Sequence, residues 1–200
     1  MKTNFLRFSL LAFILFIASC SNDDKEDTVA EVETQTFSNL DATSSSDFTK
    51  FSFSKNAVVT DDSWDIAFKG TTILVNGGTK IGITGEPDRT GAAAVSIVSG
   101  TFAEVKEFPL ASTFAQDAQG VYAIPTGSGN GWYSYNSSTH LISPIAGKVF
   151  VVKTHDGKYA KFEILSYYKD APLTPDPLDS ASTRYYTFKF AYQANSTTTF

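Results

Sequence analysis

Few side chains in this sequence are able to do chemistry. There are two histidines, His140 and His155, and a single cysteine, Cys20. His140 closes the stretch Tyr133–His140 (YSYNSSTH) directly after Trp132, so an imidazole, two phenols and an indole lie close together in the chain. A histidine among aromatic rings is either a half-buried hydrogen-bonding group or a residue that meets a ligand. Imidazole is a base or a metal ligand at neutral pH, and flat rings stack on planar ligands. His155 begins His155-Asp156-Gly157 between two apolar runs, a predicted turn tip where water would surround it and its role would be structural. A Ser-His-Asp nucleophile would need one of these two histidines as its base. The sequence has no H-E-x-x-H or G-x-S-x-G segment. Its many carboxylates show no spacing that marks a glycosidase pair. One cysteine excludes a disulfide framework and any multi-cysteine zinc or iron–sulfur site. The residues point to a binding protein and not to an enzyme.

The elements that must position these residues read as strands. Phe48, Phe51 and Phe53 alternate with polar residues, and Ser63–Lys69 (SWDIAFK) predicts Trp64, Ile66 and Phe68 on one sheet face. Thr71–Val75 and Ala92–Val98 are β-branched or small apolar runs bounded by glycines. Lys148–Thr154 and Lys158–Ser166 flank the Asp156-Gly157 pair, a hairpin signal because Gly enters φ > 0 freely. Arg184–Tyr192 forms a last strand, and only Leu110–Gln119 could hold a short helix. The prediction is all-β with mostly antiparallel sheets and no solenoid or propeller repeat. The glycine-rich stretch Asn76–Gly91 lacks the phosphate-loop pattern and reads as a flexible connection; Lys169–Ser182, with three prolines and three aspartates, reads as a stiff surface loop.

Composition sets the class and the N-terminus sets the address. With 200 residues and 42% hydrophobic content the chain suffices for one domain with a core. Its net charge of −5 argues against a nucleic-acid partner. Ser9–Ala18 is an apolar run too short for a bilayer-spanning helix of roughly 20 residues and reads as a signal-peptide core. Ile17-Ala18-Ser19-Cys20 matches the bacterial lipobox, which makes Cys20 the lipid anchor. Ser21–Asp27 (SNDDKED) resembles the acidic export signal that sends Bacteroidetes lipoproteins to the outer face of the outer membrane, and is equally a solvated charged tether. The organisation predicted is a lipoprotein signal peptide over 1–19, a lipid-anchored flexible linker over 20–46 and a single all-β domain over 47–200.

Several segments recur in order in a known family. Phe51–Val59 (FSFSKNAVV), Ser63–Phe68 (SWDIAF), Asn76-Gly77-Gly78, Gly131-Trp132 and Lys148–Lys169, with the aromatic last strand, resemble the HmuY-like haem-binding lipoproteins of Bacteroidetes. The resemblance covers roughly residues 47–193. It implies an all-β fold shaped like a grasping right hand, capture of haem or another porphyrin at the cell surface, hand-over to a TonB-dependent outer-membrane receptor, and no catalysis. The best-known members clamp iron between two axial histidines. Here the segment before Trp132 is shorter and has no histidine, and Asn136 or Ser137 stands where the second is found, with His140 a few residues on. Met1 is the only methionine and leaves with the signal peptide. The resemblance therefore makes His140 the first candidate for the haem iron. Tyr133 and Tyr135 are candidates for the second axial place, and Trp132 or Tyr135 for stacking on the macrocycle. The alternative is a fold kept for another ligand, a glycan or a partner protein, without haem.

Overall fold

The computed structural model describes residues 32–195 and 197–200. The predicted signal peptide, Cys20 and the acidic stretch lie outside them. Among the described residues eleven strands form three sheets: β1 Thr34–Asp41, β2 Thr49–Ser52, β3 Ala57–Val59, β4 Ile66–Lys69, β5 Thr72–Val75, β6 Ala94–Ser99, β7 Tyr133–Asn136, β8 Leu141–Pro144, β9 Lys148–Lys153, β10 Tyr159–Tyr168 and β11 Thr183–Gln193. A five-stranded sheet runs β1-β11-β10-β9-β6, a four-stranded sheet β3-β2-β4-β5, and β7-β8 is a separate ribbon. All strand pairs are antiparallel.

The two larger sheets share one core, and its material is aromatic. Phe51, Ile66, Phe68 and Val75 from one sheet, with Phe53 in the turn just after β2, join Phe150, Phe162, Phe188 and Phe190 from the other. Phe51 meets Phe188 edge-on at 5.1 Å, and Phe150 stacks on Phe162 at 4.9 Å. Such pairs add about 0.5–1.5 kcal/mol beyond area burial. Strand β9 reads as a continuous apolar run because both its faces are covered: Phe150 and Val152 face this core while Val149 and Val151 join Phe102, Val105 and Ala191 on the sheet's far side. Lys161 is buried on that far side, where its ammonium donates to the carbonyls of Phe102 and Val105 and lies 4.4 Å from the Phe102 ring centre.

Three expectations are corrected. The linker ends earlier than residue 46, because Thr34–Asp41 is an edge strand paired with β11, with Leu40 fully buried. Leu110–Gln119, the one segment able to hold a short helix, contains a single 3-10 turn, Ala111–Thr113. Trp64 does not share a face with Ile66 and Phe68. It precedes β4 and packs with Phe48, Ala67, Leu74 and Ile81 in a second cluster, while its neighbour Asp65 is the buried polar residue. The loop Asn76–Gly91 is pinned and not a free connection. The Glu86 carboxylate accepts the backbone N–H groups of Ile81, Gly82 and Ile83, so the one anion cradle the glycines build is filled by the protein's own side chain.

Candidate functional site

The ribbon β7–β8 carries the residues singled out from the sequence. Its register pairs Tyr133 with Pro144 and Tyr135 with Ile142. Directly paired residues point to the same side, so two phenols, an isoleucine and a proline share one face. The strands turn through Ser137–His140. Asn136 Oδ1 accepts the N–H groups of Ser138 and Thr139, and His140 takes the left-handed conformation with φ +59°. A glycine normally serves that position. Here the histidine occupies it and its ring meets the Tyr135 hydroxyl: Tyr135 Oη and His140 Nδ1 are 2.7 Å apart, with the ring centres 6.2 Å apart and tilted 48°. The Tyr135 amide is held in turn by Ser128 Oγ. Both ring-bearing residues are exposed, Tyr135 at 44%.

The four residues named from the sequence therefore divide. Tyr135 and His140 come together at the exposed turn end of the ribbon. Tyr133 is half-buried and packs on Trp132 at 4.9 Å. Trp132 is buried, at 2% exposure, with its indole N–H donating to the Thr71 carbonyl and its ring among Tyr133, Tyr167 and Tyr186. It is the floor under the ribbon and offers no free face for a ligand, which corrects its assignment as a stacking residue. Replacing it with Phe keeps the ring and leaves the Thr71 carbonyl unpaired. We expect a loss of about 1–3 kcal/mol, read as a fall in thermal midpoint of about 2–4 °C per kcal/mol, with ligand binding unchanged.

His155 is not the water-surrounded tip that its sequence position suggests. Its backbone N–H and its Nδ1 both bond Asp65 Oδ1 at 2.8 Å, and its side chain is 21% exposed. Asp65 also accepts the Phe53 N–H, which ties the β9–β10 turn to the four-stranded sheet. Burial pushes the Asp65 carboxyl above the usual carboxylate range against the pull of these donors. His155 is thus committed to the fold.

The ribbon has a neighbour that sequence reading did not connect to it. The Ile142 amide donates to Tyr168 Oη at the end of β10, and the loop that follows, 169–182, exposes Leu173 completely and Leu178 at 75%. The loop is fastened at its start by Asn39 in β1, whose side chain bonds the Asp170 carboxylate and amide. Lys169 and Arg184 lie at the two ends of this loop; Lys169 Nζ is 5.5 Å from the Tyr185 ring. Ribbon and loop are thus linked through Tyr168. Among the described residues no group of three or more His, Cys, Asp or Glu is placed to hold a metal ion.

Comparison with known proteins fixes the class. The HmuY protein family model matches residues 44–190. The chain belongs to the HmuY family. The solved apo HmuY analogue of Tannerella forsythia is 15% identical, covers 84% of this chain and 99% of its own, and superposes with a TM-score of 0.54. A Bacteroides fragilis protein described as a lipoprotein is 14% identical over 80% of this chain and 91% of that one, with a TM-score of 0.51. A Bacteroides vulgatus protein described as HmuY-like and haem-binding is 15% identical over 80% and 92% of the two chains, with a TM-score of 0.49. At these identities the first two likenesses show the shared fold. A search of curated proteins found no match.

Proposed function

We propose that this chain is a lipid-anchored, non-catalytic binding protein that captures haem, or another metalloporphyrin, at the outer face of the outer membrane. It then passes the ligand to a TonB-dependent receptor. The observation that carries the reading is the exposed Tyr135–His140 pair, standing on an apolar ribbon face within a HmuY-family domain. A planar macrocycle needs flat apolar surface, one axial donor and cations for its carboxylates. Tyr135, with the partly exposed Tyr133, Ile142 and Pro144, offers the surface, the pair offers the donor, and Lys169 and Arg184 flank the loop that Tyr168 joins to the ribbon. Export and anchoring follow from the signal peptide and Cys20.

A second reading has its own support. The family's paired axial histidines are missing and Trp132 is buried, which suits a fold kept for a different ligand, a glycan or a partner protein. A haemin titration of residues 21–200 separates the two. The expected result is a saturable one-to-one Soret shift that disappears when Ser137–His140 is replaced by a two-residue Asn-Gly turn, with the circular dichroism unchanged. A spectrum no different from that given by an unrelated acidic protein leaves the second reading.

A further inference from the structure

We infer that the chain has a further binding site, at the end of its five-stranded sheet away from the ribbon, that takes a neutral sugar: a single pyranose ring or the terminal residue of a glycan. The inference is independent of the porphyrin reading. Strand β10 begins beside the end of β11, where Tyr159 pairs with Gln193, and it ends at Tyr168, the residue bonded to the ribbon. At about 3.3 Å per residue the two ends are about 30 Å apart. At the Tyr159 end a cavity of about 350 Å³ lies between the β9–β10 turn, Phe108 and the segment Thr197–Thr198. Small-molecule sites span about 300–1,000 Å³. A volume at the lower limit suits one ring and not a chain of them.

Part of the lining is aromatic. The Phe108 and Tyr159 rings stack at 4.0 Å with 25° between their planes, and both are half-buried. The C–H face of a pyranose lies flat on such rings, whose π faces carry partial negative charge. The rest of the lining is polar. Asp156 accepts the Thr154 hydroxyl on Oδ1 and the Tyr192 hydroxyl on Oδ2. Burial pushes its carboxyl up, but these hydroxyls outweigh it and hold the group below its usual range. Asp156 is therefore an ionised acceptor, and Oδ2 keeps a lone pair for the hydroxyl of a ligand. Gln193 is fully buried. Its amide nitrogen is identified by the Thr197 carbonyl 2.7 Å away, a group that can only accept. Its carbonyl oxygen has no hydrogen-bond partner among the described residues. A buried acceptor without a donor is rare in folded proteins, and a sugar hydroxyl is a donor. Lys158 also lines the cavity, so a cation offsets Asp156 and the site favours neither sign of ligand charge. An aromatic face, acceptors for hydroxyls and balanced charge together fit a neutral polyhydroxylated ring.

The test follows the backbone amides of residues 21–200 by NMR during titration with the methyl glycosides of glucose, galactose, mannose and N-acetylglucosamine. Glucuronic acid and glucosamine serve as charged comparators. We expect at least one neutral glycoside to saturate with a Kd on the order of 1 mM or below. It should move the amides of Asp156–Tyr159 and Gln193–Thr198 and leave those of Tyr133–Pro144 in place. Phe108→Leu keeps the apolar volume but not the flat face, and Asp156→Asn removes the charged acceptor. Each should weaken that binding about tenfold, and Phe108→Leu should leave the haemin titration unchanged. The shift map is read on the unaltered chain, so it decides the matter even where a variant does not fold. Saturation by none of the four neutral glycosides overturns the inference. So does a map centred on the ribbon, or a tighter response to either charged sugar. None of these outcomes bears on the porphyrin reading, which the haemin titration tests by itself.

Discussion

Deleting residues 1–41 should abolish a stable fold, whereas deleting residues 1–32 should leave it intact. Strand β1 looks like tether in the sequence, yet it closes the five-stranded sheet. Phe37 meets the Phe51 ring at 4.8 Å and stacks on Phe188 at 5.8 Å, and Leu40 is 1% exposed in the same core. Truncating a buried Leu to Ala alone costs about 2–5 kcal/mol, against a total stability of about 5–15 kcal/mol for a domain. Losing the whole strand adds the uncovered faces of Phe51 and Phe188 and the unpaired edge of β11. It also removes the Asn39 clasp on the 169–182 loop. An exposed aromatic edge of that length is a template for intermolecular pairing. Thermal melts should show a normal transition for the shorter deletion. The longer one should be insoluble or should melt without a cooperative transition. Equal midpoints for both would mean that β1 contributes nothing and that the domain begins near residue 47.

The reason β1 escaped sequence reading also explains what was legible. The strand's composition, TQTFSNLD, is that of a solvated segment because one of its edges and most of its outer face meet water. Its two core residues are an odd number apart, since a bulge at Asn39 (φ +58°) shifts the register between Phe37 and Leu40 and breaks the period of two. Strands β9, β10 and β11 are legible because their apolar runs are long enough to show through the register shifts near Ser166, and Gly157 (φ +79°) marks the turn between the first two. At the ribbon the turn signal was missing. The left-handed position that a glycine would announce belongs to His140, so Tyr133–Asn136 and Leu141–Pro144 carried aromatic chemistry without a visible hairpin. The residues of the candidate site were therefore legible as types. That His140 lies on Tyr135, and that Trp132 lies beneath the ribbon, follows from the turn conformation and from Thr71, which is distant in sequence.

Arg89→Met should be the most damaging single substitution, because it strands two buried carboxylates. Arg89 Nη2 is 3.1 Å from Glu86 and 3.0 Å from Asp117, and the three side chains are 2%, 4% and 0% exposed. Asp117 also accepts the amides of Val75 and Ala123, so it joins β5 to the segment before the ribbon. Removing one partner of a buried ionic network costs about 3–5 kcal/mol, since the remaining charges stay desolvated. The pH dependence gives the cause away. Burial pushes the Glu86 carboxyl up, but the amides of Ile81, Gly82 and Ile83 together with Arg89 outweigh it and hold the group below its usual range. Its stabilising contribution is thus complete above the unfolded-state value and disappears as pH falls through the folded one. Burial raises Asp117 even with Arg89 present. Without the guanidinium both carboxyls move upward, and a raised carboxyl binds protons more tightly in the folded state, so acid favours folding of the variant. The deficit of Arg89→Met, measured by urea denaturation, should be largest at pH 7 and shrink as pH is lowered toward 5. A deficit that does not vary with pH would trace the loss to the side chain's packing near Trp64, whose ring lies 5.8 Å from the guanidinium, and not to the unpaired charges.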